Sequence, residues 1–122
     1  MRILLAEDIE DTRHLMKLVL EMKGHDVFEA VNGEEAVRQA FKELPDLILM
    51  DLSMPVMDGL AATRRIRKNA ETARIPIVAL SAHMADAAWR DQALKSGCSG
   101  FYAKPLDFEI LEEMLAIGCG SH

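Results

Sequence analysis

Five side chains in this sequence could do chemistry together if the fold brought them to one place. They are the acids Glu7, Asp8 and Asp51, the hydroxyl of Ser81 and the amine of Lys104. Each stands at the end of a short apolar run: Ile3–Ala6 before the acid pair, Leu47–Met50 before Asp51, Ile77–Leu80 before Ser81 and Phe101–Ala103 before Lys104. Three ionised carboxylates about 5 Å apart would repel by roughly 3 kcal/mol per pair at an effective dielectric near 20. The sum, about 10 kcal/mol, rivals the whole stability of a small domain. Lys104 can offset part of it, and the rest must be relieved by raising a carboxyl pKa or by binding a cation. Hard oxygen donors suit Mg²⁺, with Mn²⁺ as a substitute. A carboxylate so placed can attack phosphorus to form an aspartyl phosphate. A metal ion and a lysine neutralise the phosphoryl oxygens, and a serine hydroxyl donates a further hydrogen bond.

The elements that must position these groups follow from patterning. Val27-Phe28 supplies a fifth apolar run, and several runs are apolar at every position, as parallel strands covered on both faces are. Between the runs lie helical stripes: Leu15, Leu18, Val19 and Met22; Ala36, Val37, Ala40, Phe41 and Leu44; Ile110, Leu111, Met114 and Leu115. Weaker helices are expected over Leu60–Lys68 and Ala87–Ser96. Gly24 and Gly97 fall just past helix ends, Asn32-Gly33 reads as a turn into a helix, and Pro45 and Pro76 each precede a strand. Five strands alternating with five helices predict a doubly wound α/β sandwich, a flavodoxin-like (βα)5 fold with a parallel sheet of order 2-1-3-4-5. Ligands of such sheets bind at the carboxyl ends of the strands, where the five reactive residues belong.

Composition bounds the rest. A chain of 122 residues, half of them hydrophobic, can build one core without disulfides. Its net charge of −6, from 14 Lys and Arg against 20 Asp and Glu, argues against nucleic acid as a direct partner. No run is long enough to span a bilayer, and Met1-Arg2-Ile3 leads into a strand instead of a signal peptide, so a cytoplasmic location is expected. Cys98 and Cys119 have no metal-ligand spacing and are expected as reduced thiols. His14, His25 and His122 read as ordinary surface residues, most of the eight Met residues as core filler, and Trp89 as half exposed on the fourth helix.

Together, Glu7-Asp8, the segment Asp51-Leu52-Ser53-Met54-Pro55-Val56-Met57-Asp58-Gly59, Ser81-Ala82 and Lys104-Pro105 resemble the receiver domain of response regulators over essentially the whole chain. The resemblance implies a receiver domain over residues 1–117 with a short tail at 118–122, and Asp51 as phospho-acceptor. It implies Asp8, Asp51 and the Ser53 backbone carbonyl as Mg²⁺ ligands, with Glu7 acting through water. Lys104 would pair with Asp51 and then contact the phosphoryl group, while Ser81 and Phe101 would form the switch. Ser53 and His83, which depart from the best-known single-domain members, would tune phosphoryl lifetime. Lys104-Pro105 would be a cis peptide, and Gly59 a position needing backbone freedom. Adjacent Tyr102 leaves open which ring reports the switch.

The same resemblance implies a phosphoryl group taken from a sensor histidine kinase or histidine phosphotransfer protein docking near the first helix. It implies output through a protein target on the face of the fourth helix, fifth strand and fifth helix. No enzymatic activity is expected beyond catalysis of the chain's own phosphorylation and dephosphorylation. The alternative is a scaffold that keeps the residues but works without phosphorylation. A phosphatase would need a second acid two residues after the nucleophile, where Ser53 stands. A flavin binder would need a phosphate cradle where Glu7-Asp8-Ile9-Glu10-Asp11 is acidic.

Overall fold

The computed structural model describes residues 1–54, 57–82, 86–104 and 108–118. Five strands, β1 (Arg2–Ala6), β2 (Asp26–Ala30), β3 (Leu47–Asp51), β4 (Ile77–Ser81) and β5 (Gly100–Ala103), alternate with five helices, α1 (Glu10–Met22), α2 (Gly33–Glu43), α3 (Gly59–Lys68), α4 (Ala87–Ser96) and α5 (Phe108–Gly118). The strands form one parallel sheet of order β2-β1-β3-β4-β5, as the alternation predicts.

The uninterrupted apolar runs have a simple physical meaning. Successive strand residues point to opposite faces, so Leu4, Ala6, Ile48, Met50, Ile77 and Ala79 enter one core with α2, α3 and α4. Their neighbours Ile3, Leu5, Leu47, Leu49, Val78 and Leu80 enter a second core with α1 and α5. Both faces are dry, so neither tolerates an alternating polar residue.

Helix starts are set by side chains the sequence places there. Asn32, Asp58 and Asp86 cap α2, α3 and α4, each accepting a backbone N–H at 2.8 Å. Gly24 and Gly97 close α1 and α4 in the left-handed region, at φ 91° and 109°. Gly59 differs from expectation, because space and not backbone freedom demands it. A β-carbon there would lie 2.4 Å from the Asp51 carbonyl oxygen, so only glycine lets α3 start against the end of β3.

The first helix overturns its predicted face. Leu15, Leu18 and Met22 are 63%, 56% and 79% exposed, while Met16 and Leu20 are buried and Val19 half-buried. Six apolar residues cover too wide an arc for one face. Side-chain ties choose between them: Arg13 and Lys17 reach Glu29 on β2, and Lys23 pairs with Glu112 on α5. In α2 the stripe is narrower than predicted, with Ala36, Val37 and Ala40 buried and Phe41 and Leu44 at the outer rim. Met16, Met50, Met54 and Met114 are core residues as expected, but Met22 is not. Trp89 is half-buried against the α2–α3–α4 core, and His14 is exposed. His83, Pro105, Cys119 and His122 lie outside the described residues, and with them the expected cis bond. No described helix is long and apolar enough to cross a membrane.

Candidate functional site

The carboxyl edge of the sheet gathers the residues singled out by their position at strand ends. Asp51 closes β3 and Ser81 closes β4; Glu7-Asp8 follows β1 and Lys104 follows β5. Their backbones are held by continued ladder bonds. Glu7 N–H donates to Ala30 at 3.0 Å, Leu52 N–H to Leu80 at 3.0 Å, and Lys104 N–H to the Ser81 carbonyl at 3.1 Å. Gly59 N–H donates to the Leu52 carbonyl at 3.3 Å, pinning the start of α3 beneath the loop that follows Asp51.

Glu7, Asp8 and Asp51 each bring a carboxylate oxygen within 4.8 Å of the others. Lys104, itself mostly buried, sits between two of them: its Nζ donates to Asp51 Oδ2 at 3.0 Å and pairs closely with Glu7 Oε1. Asp51 Oδ1 accepts from Ser53 N–H at 3.0 Å, and Glu7 Oε2 from Ile9 N–H at 3.2 Å. Ser53 itself is exposed, and Ser81 is buried.

The electrostatics follow the predicted conflict. Glu7 has no exposed surface, and its burial, together with the hydrogen bond it shares with Asp51, pushes its pKa up to about 7, although Lys104 pulls the other way. Burial alone would raise Asp51 too. The hydrogen bonds from Glu7, from Ser53 N–H and from Lys104 outweigh it and hold Asp51 below the ordinary carboxylate range. Burial disfavours the Lys104 ammonium, but Glu7 and Asp51 more than compensate and raise its pKa. One amine for three acids leaves net negative charge on a set of hard oxygen donors, which is the donor chemistry of Mg²⁺ or Mn²⁺. The residues present fit such an ion.

Register sends the two rings of β5 to opposite faces of the sheet. Phe101 lies opposite Ala79 of β4 and packs into the α2–α3–α4 core, whereas Tyr102 turns to the α1–α5 core and shares a hydrogen bond with Glu113. Phe101 is the ring on the α4 side. No motif pointed to Arg13, which donates from Nη1 to the Glu7 carbonyl at 3.1 Å. The available signal was Arg13 and Lys17 one helical turn apart, with an acid, Glu29, set between the apolar residues Phe28 and Ala30 of β2.

Comparison with known proteins agrees with this geometry. The chain belongs to the response regulator receiver domain family, whose model matches residues 3–116. It is 36% identical over 112 residues to Protein PilH of Pseudomonas aeruginosa, covering 90% of each chain. It is 38% identical over 106 residues to the response regulator PleD of Caulobacter vibrioides, covering 87% of this chain and 23% of PleD. The chain therefore spans most of one relative and under a quarter of the other. The receiver domain of sensor histidine kinase PA1611 from Pseudomonas aeruginosa superposes with a TM-score of 0.89 at 35% identity, covering 98% of this chain and 97% of that one. That structure has a magnesium ion coordinated in its active-site cleft.

Proposed function

We propose that the chain is switched by phosphorylation of Asp51, with Mg²⁺ (or Mn²⁺ in its place) held by Asp8, Asp51 and the Ser53 backbone carbonyl, and by Glu7 through water. The observation that carries this reading is the Lys104 bridge between Glu7 and Asp51 inside a cluster of three acids. Such a cluster opposes folding, so a purely structural role is a poor explanation of it. A carboxylate oxygen of Asp51 attacks the phosphorus of a phosphohistidine, the P–N bond breaks, and the imidazole nitrogen leaves with the bonding pair. The metal, when bound, neutralises charge on the phosphoryl oxygens. Lys104 exchanges its bond to the Asp51 carboxylate for one to the phosphoryl group, and the Ser81 hydroxyl donates to another oxygen. Phe101 follows Ser81 on the α4 side and biases the α4-β5-α5 face toward its protein target. Ser53 and His83 tune the lifetime of the phosphoryl group. The chain is a switch that catalyses only its own phosphorylation and dephosphorylation, in the cytoplasm.

The donor is a histidine kinase or histidine phosphotransfer protein that presents its histidine from a helical surface. Leu15, Leu18 and Met22 form an exposed apolar strip along α1, and exposed Ile9 precedes the helix next to Asp8. A helix laid on that strip would bring its histidine to the acid cluster. Intact-protein mass after incubation with acetyl phosphate tests the chemistry. One phosphoryl group should be gained with Mg²⁺, and none without it or in Asp51→Asn. Leu18→Asp should slow transfer from the protein donor while leaving the acetyl phosphate reaction unchanged. Failure with both acetyl phosphate and phosphorylated protein donors would favour a scaffold that works without phosphorylation.

A further inference from the structure

The Glu7–Asp8 peptide unit presents the acid pair, and its orientation is held from outside the site. Its carbonyl, that of Glu7, accepts from Arg13 Nη1 at 3.1 Å, and one peptide earlier Glu7 N–H donates to the Ala30 carbonyl of β2 at 3.0 Å. An uncompensated change in the Glu7 ψ or Asp8 φ angle, which flank the Glu7–Asp8 peptide, would shift the Asp8 carboxylate relative to Asp51. Arg13 is itself anchored. Its side chain is 11% exposed, its Nε donates to Glu29 Oε1 at 3.3 Å, and its backbone N–H donates to the Ile9 carbonyl at 2.9 Å across the first turn of α1. Lys17 holds the other Glu29 oxygen at 3.4 Å. No side chain caps α1 at Ile9, and among the described residues Arg13 and Glu7 Oε2 are the side-chain groups that hydrogen-bond the backbone of the β1–α1 loop.

From this geometry we infer that Arg13 is a positioning residue for divalent-cation binding, fixing the Glu7–Asp8 peptide with Glu29 as its anchor. The inference rests on the metal-binding reading above and adds to it a residue that touches neither metal nor phosphoryl group. It makes a prediction of unusual sign. Arg13 is a cation beside a cation site, so acting by charge alone its removal would tighten Mg²⁺ binding. Acting by position, its removal weakens binding, as loss of an outer-shell partner does.

Calorimetric titration with Mg²⁺ decides the matter, with melting in EDTA confirming that each variant folds. Arg13→Gln should weaken Mg²⁺ binding about tenfold, and Lys17→Ala, which removes a like charge from the same acid, should change it less than twofold. Glu29→Gln should weaken it mildly, and the double variant Arg13→Gln/Glu29→Gln should be no weaker than Arg13→Gln alone, because Glu29 acts through Arg13. Should Arg13→Gln not fold, Glu29→Gln with and without Lys17→Ala carries the test: a loss only when Glu29 is changed supports the inference. Unchanged or tighter binding in Arg13→Gln, or equal losses in Arg13→Gln and Lys17→Ala, would overturn it. Wild-type protein that bound no Mg²⁺ would overturn the metal-binding reading itself and this inference with it.

Discussion

Two charged groups lie partly inside this molecule at opposite edges of the same sheet, and their hydrogen-bond partners are of opposite kinds. At the amino edge, Arg67 of α3 spreads its guanidinium over neutral acceptors. Nε donates to the Gly97 carbonyl at 2.8 Å, Nη1 to the Ala73 and Ile75 carbonyls at 3.1 and 2.7 Å, and Nη2 to Ser99 Oγ at 3.4 Å. It joins the end of α4 to the segments entering β4 and β5. At the carboxyl edge, Lys104 faces three acids and satisfies only two. The first arrangement closes a structure, since every guanidinium nitrogen finds a carbonyl or hydroxyl. The second leaves charge uncompensated, which a metal ion or a phosphoryl group can change. Burial of a charge therefore says little about role; the balance of its partners says more.

Removing each centre should separate the two roles, and the largest effect is expected at the structural one. Arg67→Ala leaves several carbonyls without a donor and should lower the unfolding free energy by about 2–4 kcal/mol. Urea denaturation reads this, and Mg²⁺ affinity should stay within about twofold of wild type by calorimetry. Lost Mg²⁺ binding with intact stability would merge the two regions into one.

At the other edge, Asp8→Ala should abolish most of the stabilisation by Mg²⁺, which at a hundredfold excess over the dissociation constant is about 2.7 kcal/mol in the wild type. Equal melting shifts in both proteins would remove Asp8 as a ligand. The raised Glu7 pKa sets a pH dependence with a definite sign. Glu7 titrates near 4.5 when unfolded and about 7 when folded, so between those values the folded state holds the extra proton. Stability of the metal-free protein should then fall as pH rises from about 4.5 to 7, on the order of 2 kcal/mol, and Glu7→Gln should flatten that slope. Asp51, held below its ordinary range, contributes stability that is present above its unfolded value and lost as pH falls below about 4. The smallest effect is expected from Asp51→Asn. It should lower the metal-free melting temperature by a few degrees, roughly 1 kcal/mol, because the amide loses the charge-assisted bond from Lys104 that favours the ionised carboxylate. A clear rise would mean that repulsion among the three acids outweighs the Lys104 bridge.

Much of this was legible before any coordinates. Runs such as Ile77-Val78-Ala79-Leu80 could satisfy only a sheet covered on both faces, and an acid, hydroxyl or amine at the end of a run had to stand at the sheet's carboxyl edge. Chain order and strand length suffice for that, because they are local properties and the crossover rule does the rest.

Other features were decided only by the tertiary structure. The tightest apolar arc of α1, through Leu15, Leu18 and Met22, faces solvent, because contacts with β2 and α5 fix the rotation of the helix and no local pattern encodes them. Which core Phe101 and Tyr102 each enter depends on the pairing of β5 with β4, where a slip of one residue would exchange them. Gly59 is required by a backbone it meets eight residues away from its partner in sequence, and Arg13 by a carbonyl on the preceding strand's loop. Sequence by itself determined which groups reach the site, since polarity and periodicity act along the chain. Folding decided how they are held and oriented, since that rests on contacts between segments distant along it.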